Sequence, residues 1–174
     1  MTPNPAADPP NLFSDYSFRA LRVIFIARLK AGNAGATAID IDHLVAGIVV
    51  EDGGKNAMAK LLNVDPNSIG VMADMEPHPV PFFPSEVAAM LLAKIEELSP
   101  HSEPIPKSRD MPMSSEFTQV LNAAQDLRRQ FQSAKVYPLH LLAAALGDPS
   151  SKASQVLRDA GISQEKVLEA LQKD

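Results

Sequence analysis

The sequence contains no cysteine, so it can form no disulfide framework, no thiolate metal site and no cysteine nucleophile. This absence fits a reducing cytosol, which is the location we expect. Basic residues are not in excess, because 16 lysines and arginines face 21 acidic residues and the net charge is -5. The chain therefore lacks the basic surface of a nucleic-acid-binding protein, and an anionic membrane would repel it.

Long apolar runs are missing as well. The longest, residues 44–50, is far shorter than the roughly 20 residues that a membrane-spanning helix requires. Residues 1–12 are rich in proline and lack the charged start and apolar run of a secretion signal, so we expect a flexible lead-in. The 174 residues are 45% hydrophobic, which is typical of a globular protein with a buried core.

An internal duplication is the strongest signal in the chain. Residues 20–49 recur as residues 117–146 at a constant offset, and both copies keep apolar residues at helical spacing. The matching pairs include Val23 with Val120, Ala27 with Ala124, His43 with His140, and Leu44 with Leu141. This pattern predicts an all-α fold in which two similar units pack together, an arrangement more typical of binding modules than of catalysts.

Each unit is predicted to contain four helices, the first unit over residues 13–75 and the second over residues 113–174, and together they are expected to form one compact domain. In the first unit Asp65 and Pro66 suit the cap and first turn of the fourth helix. Five arginines mark helix faces that are expected to be solvated: Arg19, Arg22, Arg28, Arg128 and Arg129.

Residues 76–112 lie between the units and are not explained by the duplication. Two proline-rich segments, expected to be flexible, flank residues 85–98, whose apolar residues share one helical face. That face comprises Val87, Met90, Leu91, Ile95 and Leu98. We predict an extra linker helix over residues 85–98 that docks across the seam between the units without being part of either repeat's core. It is expected to cover part of a protein-binding surface, with Met90 and Leu91 at its contact face.

These motifs resemble the amino-terminal repeat domain of the Clp ATPases, the Clp-N domain. The residues that carry the resemblance are FSDYSFRALRVIFIARLKAGN from residue 13, IDIDHLVAGIVV from residue 39, and YPLHLLAAA from residue 137. The resemblance implies two four-helix repeats related by a pseudo-twofold axis, which in the family recruit adaptors and unfolding clients to an ATPase ring. The helix predicted over residues 85–98 is not covered by this resemblance.

The sequence lacks the phosphate-binding loop of an ATPase. Its nearest approach, GGKN at residues 53–56, has neither the first glycine at the required distance nor the hydroxyl that would bind magnesium. The sequence also has no glycine-flanked serine nucleophile and no His-Glu-x-x-His motif. We therefore expect no enzyme activity and no cofactor. The chain is expected to be either a stand-alone Clp-N protein or a domain excised from a longer ATPase, and the proline-rich extension before Phe13 favours the former.

The resemblance also implies one ligand. Some family members bind phosphorylated arginine through an acidic residue at the position of Asp42, but Leu139 stands at that position in the second copy. Any such pocket would survive only around Asp42.

His43 and His140 occupy matching positions at the start of a helix. A partly buried histidine there commonly hydrogen-bonds a neighbouring backbone group, which is the interpretation we favour. The alternative is a small-ligand site in the groove between the repeats, around both histidines. No metal is expected, because the other two histidines, His78 and His101, lie in separate linkers.

The sequence thus favours a non-catalytic protein-interaction module that recruits clients or adaptors, or modulates a Clp chaperone or protease assembly. The expected partners are proteins, namely Clp subunits, adaptors or clients. A regulatory or secretion system that has adopted the same domain is the first alternative, and a small-ligand binder is the second. The sequence does not specify an oligomeric state and is compatible with a monomer.

Overall fold

The computed structural model describes residues 11–69, 81–99 and 101–173. Most of the predicted lead-in, and part of the first proline-rich segment with His78, lie outside these residues. Within them the regular structure is helical, as the duplicated pattern predicts. None of the described helices is long and apolar enough to cross a membrane.

Eight α-helices and one short 3-10 helix make up the described fold. Their bounds are α1 Phe18–Asn33, α2 Ile41–Asp52, α3 Gly54–Leu62, the 3-10 helix Pro66–Ser68, α4 Ser85–Leu98, α5 Ser115–Gln130, α6 Pro138–Leu146, α7 Lys152–Asp159 and α8 Gln164–Gln172. The linker helix α4 begins and ends where the sequence predicts.

Matching caps start the first helix of each repeat. The Ser17 side chain accepts a hydrogen bond from the Ala20 backbone N–H at 3.1 Å, and the Ser114 side chain accepts one from Phe117 at the same distance. Each serine satisfies one of the backbone donors that a helix leaves without a partner in its first turn.

Two backbone bridges show the pseudo-twofold relation between the repeats directly. Tyr16, just before α1, pairs with Val136, and Ile39 pairs with Met113, just before α5. Met113 is the counterpart of Tyr16 in the second repeat, and Val136 is the counterpart of Ile39. A twofold rotation that superposes one repeat on the other therefore also superposes one bridge on the other. They place the amino-terminal ends of the first and second helices of opposite repeats side by side.

The second helices, α2 and α6, lie at the centre of the core. Nearly every residue of both helices is buried. The two helices contact each other, and most of the other helices pack against one or both of them. Gly47 lets α1 approach α2 closely, because a Cβ on Gly47 would lie 2.7 Å from the carbonyl oxygen of Val23. The matching residue in α6 is Ala144.

The fourth-helix position of the first repeat is occupied by α4. Asp65 caps a helix as predicted, but that helix is a 3-10 turn that ends at Ser68. Helix α4 packs against α2 as α8 packs against α6, and each buries two apolar residues one turn apart. Those pairs are Leu91 with Ile95 and Val167 with Leu171.

Helix α4 also spans the seam between the repeats, as predicted, because its other main contact is with α7. However, Leu91 and Ile95 belong to the same hydrophobic core cluster as residues of both repeats. The expectation that α4 docks without being part of either core is therefore wrong.

The second proline-rich segment is held against the first repeat and is not a free tether. The N–H groups of Ser102 and Ile105 donate to the carbonyl oxygens of Ala34 and Gly32 at 3.1 and 2.9 Å. Arg28 contributes further bonds, since its guanidinium donates to two backbone oxygens of residues 106 and 109. Arg28 is thus engaged in a tertiary contact where the sequence suggested a solvated face.

Candidate functional site

Two pockets lie at corresponding places in the two repeats. The first, here called the His43 pocket, has a volume of about 520 Å³ and lies between the end of α1, the start of α2, α3 and α4. The second, here called the aromatic pocket, has a volume of about 920 Å³ and lies between the end of α5, the start of α6, the end of α8 and residues 81–83. His43 and His101 line the first pocket and His140 lines the second, so His43 and His140 do not share the single groove that was expected.

His43 is held by the backbone at the start of α2. Its Nδ1 accepts a hydrogen bond from the Asp40 N–H at 2.9 Å, while the Asp40 carboxylate accepts one from the Ile41 N–H. The residue is 9% exposed, and burial lowers the pKa of its imidazole, although the charges of Asp40 and Asp42 act in the opposite direction. His43 is therefore neutral near pH 7, and the proton of its ring lies on Nε2.

His140 repeats this geometry in the second repeat. Its Nδ1 accepts from the Tyr137 N–H at 2.9 Å, its Nε2 lies 3.1 Å from the Ser133 hydroxyl, and its ring stacks on Tyr137. The residue is completely buried. The backbone hydrogen bond that sequence reasoning favoured is thus present at both histidines.

Asp42 joins the two repeats. One carboxylate oxygen accepts hydrogen bonds from the Ser151 hydroxyl and from the Ala153 N–H, both at 2.9 Å, at the start of α7. Asp42 therefore serves as a helix cap across the repeat seam. Binding of phosphorylated arginine there stays a prediction, and it would have to compete with this cap.

The predicted contact residues on α4 face in different directions. Leu91 has no exposed surface, so it is inaccessible to a partner while α4 is docked, whereas Met90 is 41% exposed. Consecutive residues lie about 100° apart around a helix, which explains why neighbours on the predicted face separate into a core residue and a surface residue.

The aromatic pocket is lined by both aromatic and polar residues. Its lining includes Phe82, Phe83, Phe131, Tyr137 and Leu139 together with His140. Tyr137 is 40% exposed, so part of this aromatic surface is open to solvent. Leu139 stands where the first repeat has Asp42, so this position contributes an apolar side chain to the aromatic pocket.

A buried carboxylate beside the aromatic pocket was not anticipated from the sequence. Glu51 is 1% exposed, and both its oxygens accept from Arg19 at 2.8 Å, while Arg22 donates to it at 3.1 Å. Arg19 and Arg22 are therefore ion-pair partners and not simply solvated residues. The sequence feature that could have indicated this buried carboxylate is the acidic pair Glu51 and Asp52, which directly follows the apolar run of α2.

The neighbouring Asp52 fastens the segment before α4. Its carboxylate oxygens accept from the N–H groups of Phe82 and Phe83 at 2.8 and 2.9 Å. Burial raises the pKa of Asp52, and the two backbone hydrogen bonds oppose that shift. The charged groups along this pocket are thus engaged in holding the fold.

Among the described residues, no cluster of three or more histidine, aspartate or glutamate side chains is arranged to hold a metal ion. His101 is exposed in the linker, apart from His140. The described residues therefore supply no metal site.

Sequence comparison connects the second repeat to a known family. The model of the Clp repeat (R) N-terminal domain matches residues 112–174. Residues 112–174 thus match a Clp repeat. The match covers the α5–α8 unit, and the duplication and bridges relate α1 and α2 to α5 and α6 of this Clp repeat. A search of curated proteins found no matching relative.

Solved structures extend the likeness to the whole described fold. The N-terminal domain of the caseinolytic protease associated chaperone ClpD from Arabidopsis thaliana is 17% identical, with a TM-score of 0.63 over 94% of this chain and 96% of that chain. The Hsp104 N-terminal domain from Candida albicans is 19% identical, with a TM-score of 0.56 over 91% and 89%. At these identities the comparison establishes a Clp-N fold.

A third similar structure comes from structural investigations of a malarial protein secretion system. It is 15% identical, with a TM-score of 0.65 over 92% of this chain and 94% of that chain. The Clp-N fold is thus shared by chains studied in different systems.

Proposed function

We propose that this chain is a non-catalytic protein-interaction module of the Clp-N kind, which recruits client or adaptor proteins to a Clp chaperone or protease assembly in the cytosol. The observation that carries the proposal is the match of residues 112–174 to a Clp repeat, within a fold that resembles the N-terminal domains of ClpD and Hsp104 over more than nine-tenths of the chain.

We further propose the aromatic pocket as the surface that contacts the partner. Its open aromatic lining suits apolar segments of a client or adaptor, because partly exposed aromatic side chains supply large contact areas at interfaces. The charged residues beside it are already engaged, which supports binding rather than acid–base catalysis.

The test uses a permanently unfolded model client and the variant Leu139→Asp. This change introduces the residue type that the first repeat has at the matching position, so it alters the pocket with little change of side-chain size. We expect fluorescence anisotropy to show about a tenfold weaker affinity, since a charge in an apolar contact must be desolvated.

The matched control is Val64→Asp, an exposed apolar residue away from the pocket. It should leave the affinity unchanged, and circular dichroism should show that both variants remain folded. An affinity that Leu139→Asp does not alter would contradict the choice of surface, and no client binding by the wild type would contradict the function.

A regulatory or secretion system that uses the same domain remains the second candidate. Its support is that one similar structure comes from work on a secretion system. Co-purification from the native organism distinguishes the two, because the first candidate requires Clp subunits among the specific partners.

A further inference from the structure

The two histidine sites differ in the group that faces Nε2. In the second repeat Ser133 lies 3.1 Å from Nε2 of His140. The matching residue in the first repeat is Ala36, and the local backbone is the same, since the N–H groups of Ala36 and Ser133 both donate to the carbonyl oxygen five residues earlier at 2.9 Å. A methyl group therefore stands where the second repeat has a hydroxyl.

His43 consequently has one ring nitrogen without a partner among the described residues. Its Nδ1 is occupied by the Asp40 N–H, which assigns the proton of the neutral ring to Nε2. More than nine-tenths of the residue is buried. Nε2 itself is not among the fully enclosed polar atoms that lack a partner, so its N–H remains accessible from the pocket that His43 lines and can donate to a ligand there.

The surroundings of His43 determine what would satisfy this donor. The pocket has apolar walls that include Ala46, Val50, Leu61 and Leu92, and its volume of about 520 Å³ suits a small molecule or the end of a peptide. A ligand that fills it must therefore combine an apolar body with a hydrogen-bond acceptor.

The charges in the lining favour an anionic acceptor. Lys30 is paired with Glu96 at 2.8 Å, and Asp42 is occupied by the start of α7. Lys60, in contrast, is exposed at the pocket and has no acidic partner among the described residues. His101, also in the lining, is exposed.

We propose that the His43 pocket binds a carboxylate attached to an apolar body, with Nε2–H of His43 and the Lys60 ammonium as the donors to the carboxylate. Two sources share this chemistry: the carboxyl terminus of a polypeptide that ends in an apolar residue, and a free medium-chain carboxylic acid. The site is separate from the aromatic pocket and does not depend on the function proposed for it.

The test is calorimetric titration of the full chain near pH 7.5 with three probes: a short acetylated peptide that ends in leucine, its carboxyl-terminal amide, and octanoate. We expect binding of the peptide acid, of octanoate, or of both, and which of them binds identifies the source. No binding of either acid up to about 10 mM would overturn the proposal. Equal affinity for the acid and the amide would also overturn it, because the carboxylate would then play no part.

The decisive variant is Ala36→Ser, which introduces the hydroxyl of the second repeat. That hydroxyl should accept from Nε2–H of His43 and weaken binding about tenfold, while the urea midpoint stays equal or rises. Ala38→Ser makes the same chemical change two residues away and should leave binding unchanged. Binding that Ala36→Ser does not weaken would overturn the role of His43.

Lys60→Gln provides a second, independent variant. Because Lys60 is exposed, its replacement should not disturb folding. Loss of its charge should lower the affinity for the peptide acid and for octanoate several-fold, without affecting the affinity for the peptide amide. An unchanged affinity for the acids would overturn the role of Lys60. Nitrogen-15 spectra of the His43 ring should show Nε2, and not Nδ1, shifting on titration.

Discussion

Replacing Leu91 with alanine tests whether α4 is an integral part of the fold. Leu91 has no exposed surface, and its side chain belongs to the core that both repeats share. The neighbouring Met90 is 41% exposed, so Met90→Ala is the matched control on the same helix. The two variants differ in burial and little in helix propensity.

The expected magnitude follows from this burial. Truncation of a fully buried leucine costs about 2 to 5 kcal/mol, because transfer energy is lost and a cavity remains. For a domain of this size, 1 kcal/mol corresponds to about 2 to 4 °C, so a cost near 3 kcal/mol lowers Tm by about 6 to 12 °C. Met90→Ala should cost about 0.5 kcal/mol or less.

Urea unfolding gives the free energies, and native-state hydrogen exchange shows where each variant opens. We expect Leu91→Ala to lower the stability of α2 and α4 together. Similar losses in the two variants would refute the burial that the structure assigns to α4. Rapid exchange confined to α4, with an unchanged global free energy of unfolding, would show a detachable helix instead of a core element.

Three further predictions concern Glu51, His43 and Gly35. Glu51→Gln should lower the free energy of unfolding by about 3 kcal/mol, since it leaves the partly buried Arg19 and Arg22 without their carboxylate, whereas the exposed Glu97→Gln should have little effect in the same urea experiment. The lowered pKa of His43 contributes stability that is fully present above about pH 6.5 and is lost as the pH falls through 6.5 towards the folded-state pKa. His43→Gln keeps an acceptor for the Asp40 N–H and should remove this part of the pH profile, while parallel profiles for the two proteins would contradict the assignment. Gly35→Ala should cost more than about 1 kcal/mol, because φ is +68° and a Cβ would lie 2.5 Å from the Glu103 carbonyl oxygen. The matched control is Gln132→Ala in the second repeat, because Gln132 already has a side chain at φ 54°. If Gln132→Ala lowers the thermal midpoint as much as Gly35→Ala does, the steric argument is refuted.

The sequence determined the features that depend on neighbours along the chain. The duplicated apolar spacing was sufficient to predict an all-α double repeat, and the bounds of α4 followed from its own periodicity and flanking prolines. The backbone hydrogen bonds of His43 and His140 were also predictable, because each joins residues three apart. Local geometry decides all of these features.

Tertiary structure decided which residues meet across long stretches of chain. The pairing of Glu51 with Arg19 joins residues 32 apart, and the cap that Asp42 provides for α7 joins residues more than 100 apart. Neither pairing has a periodic or local signature. The same is true of α4, since the burial of Leu91 and exposure of Met90 depend on where α2 and α7 lie, not on the helix alone. Periodicity predicts a face, but only packing determines its orientation and which of its edges remains in solvent.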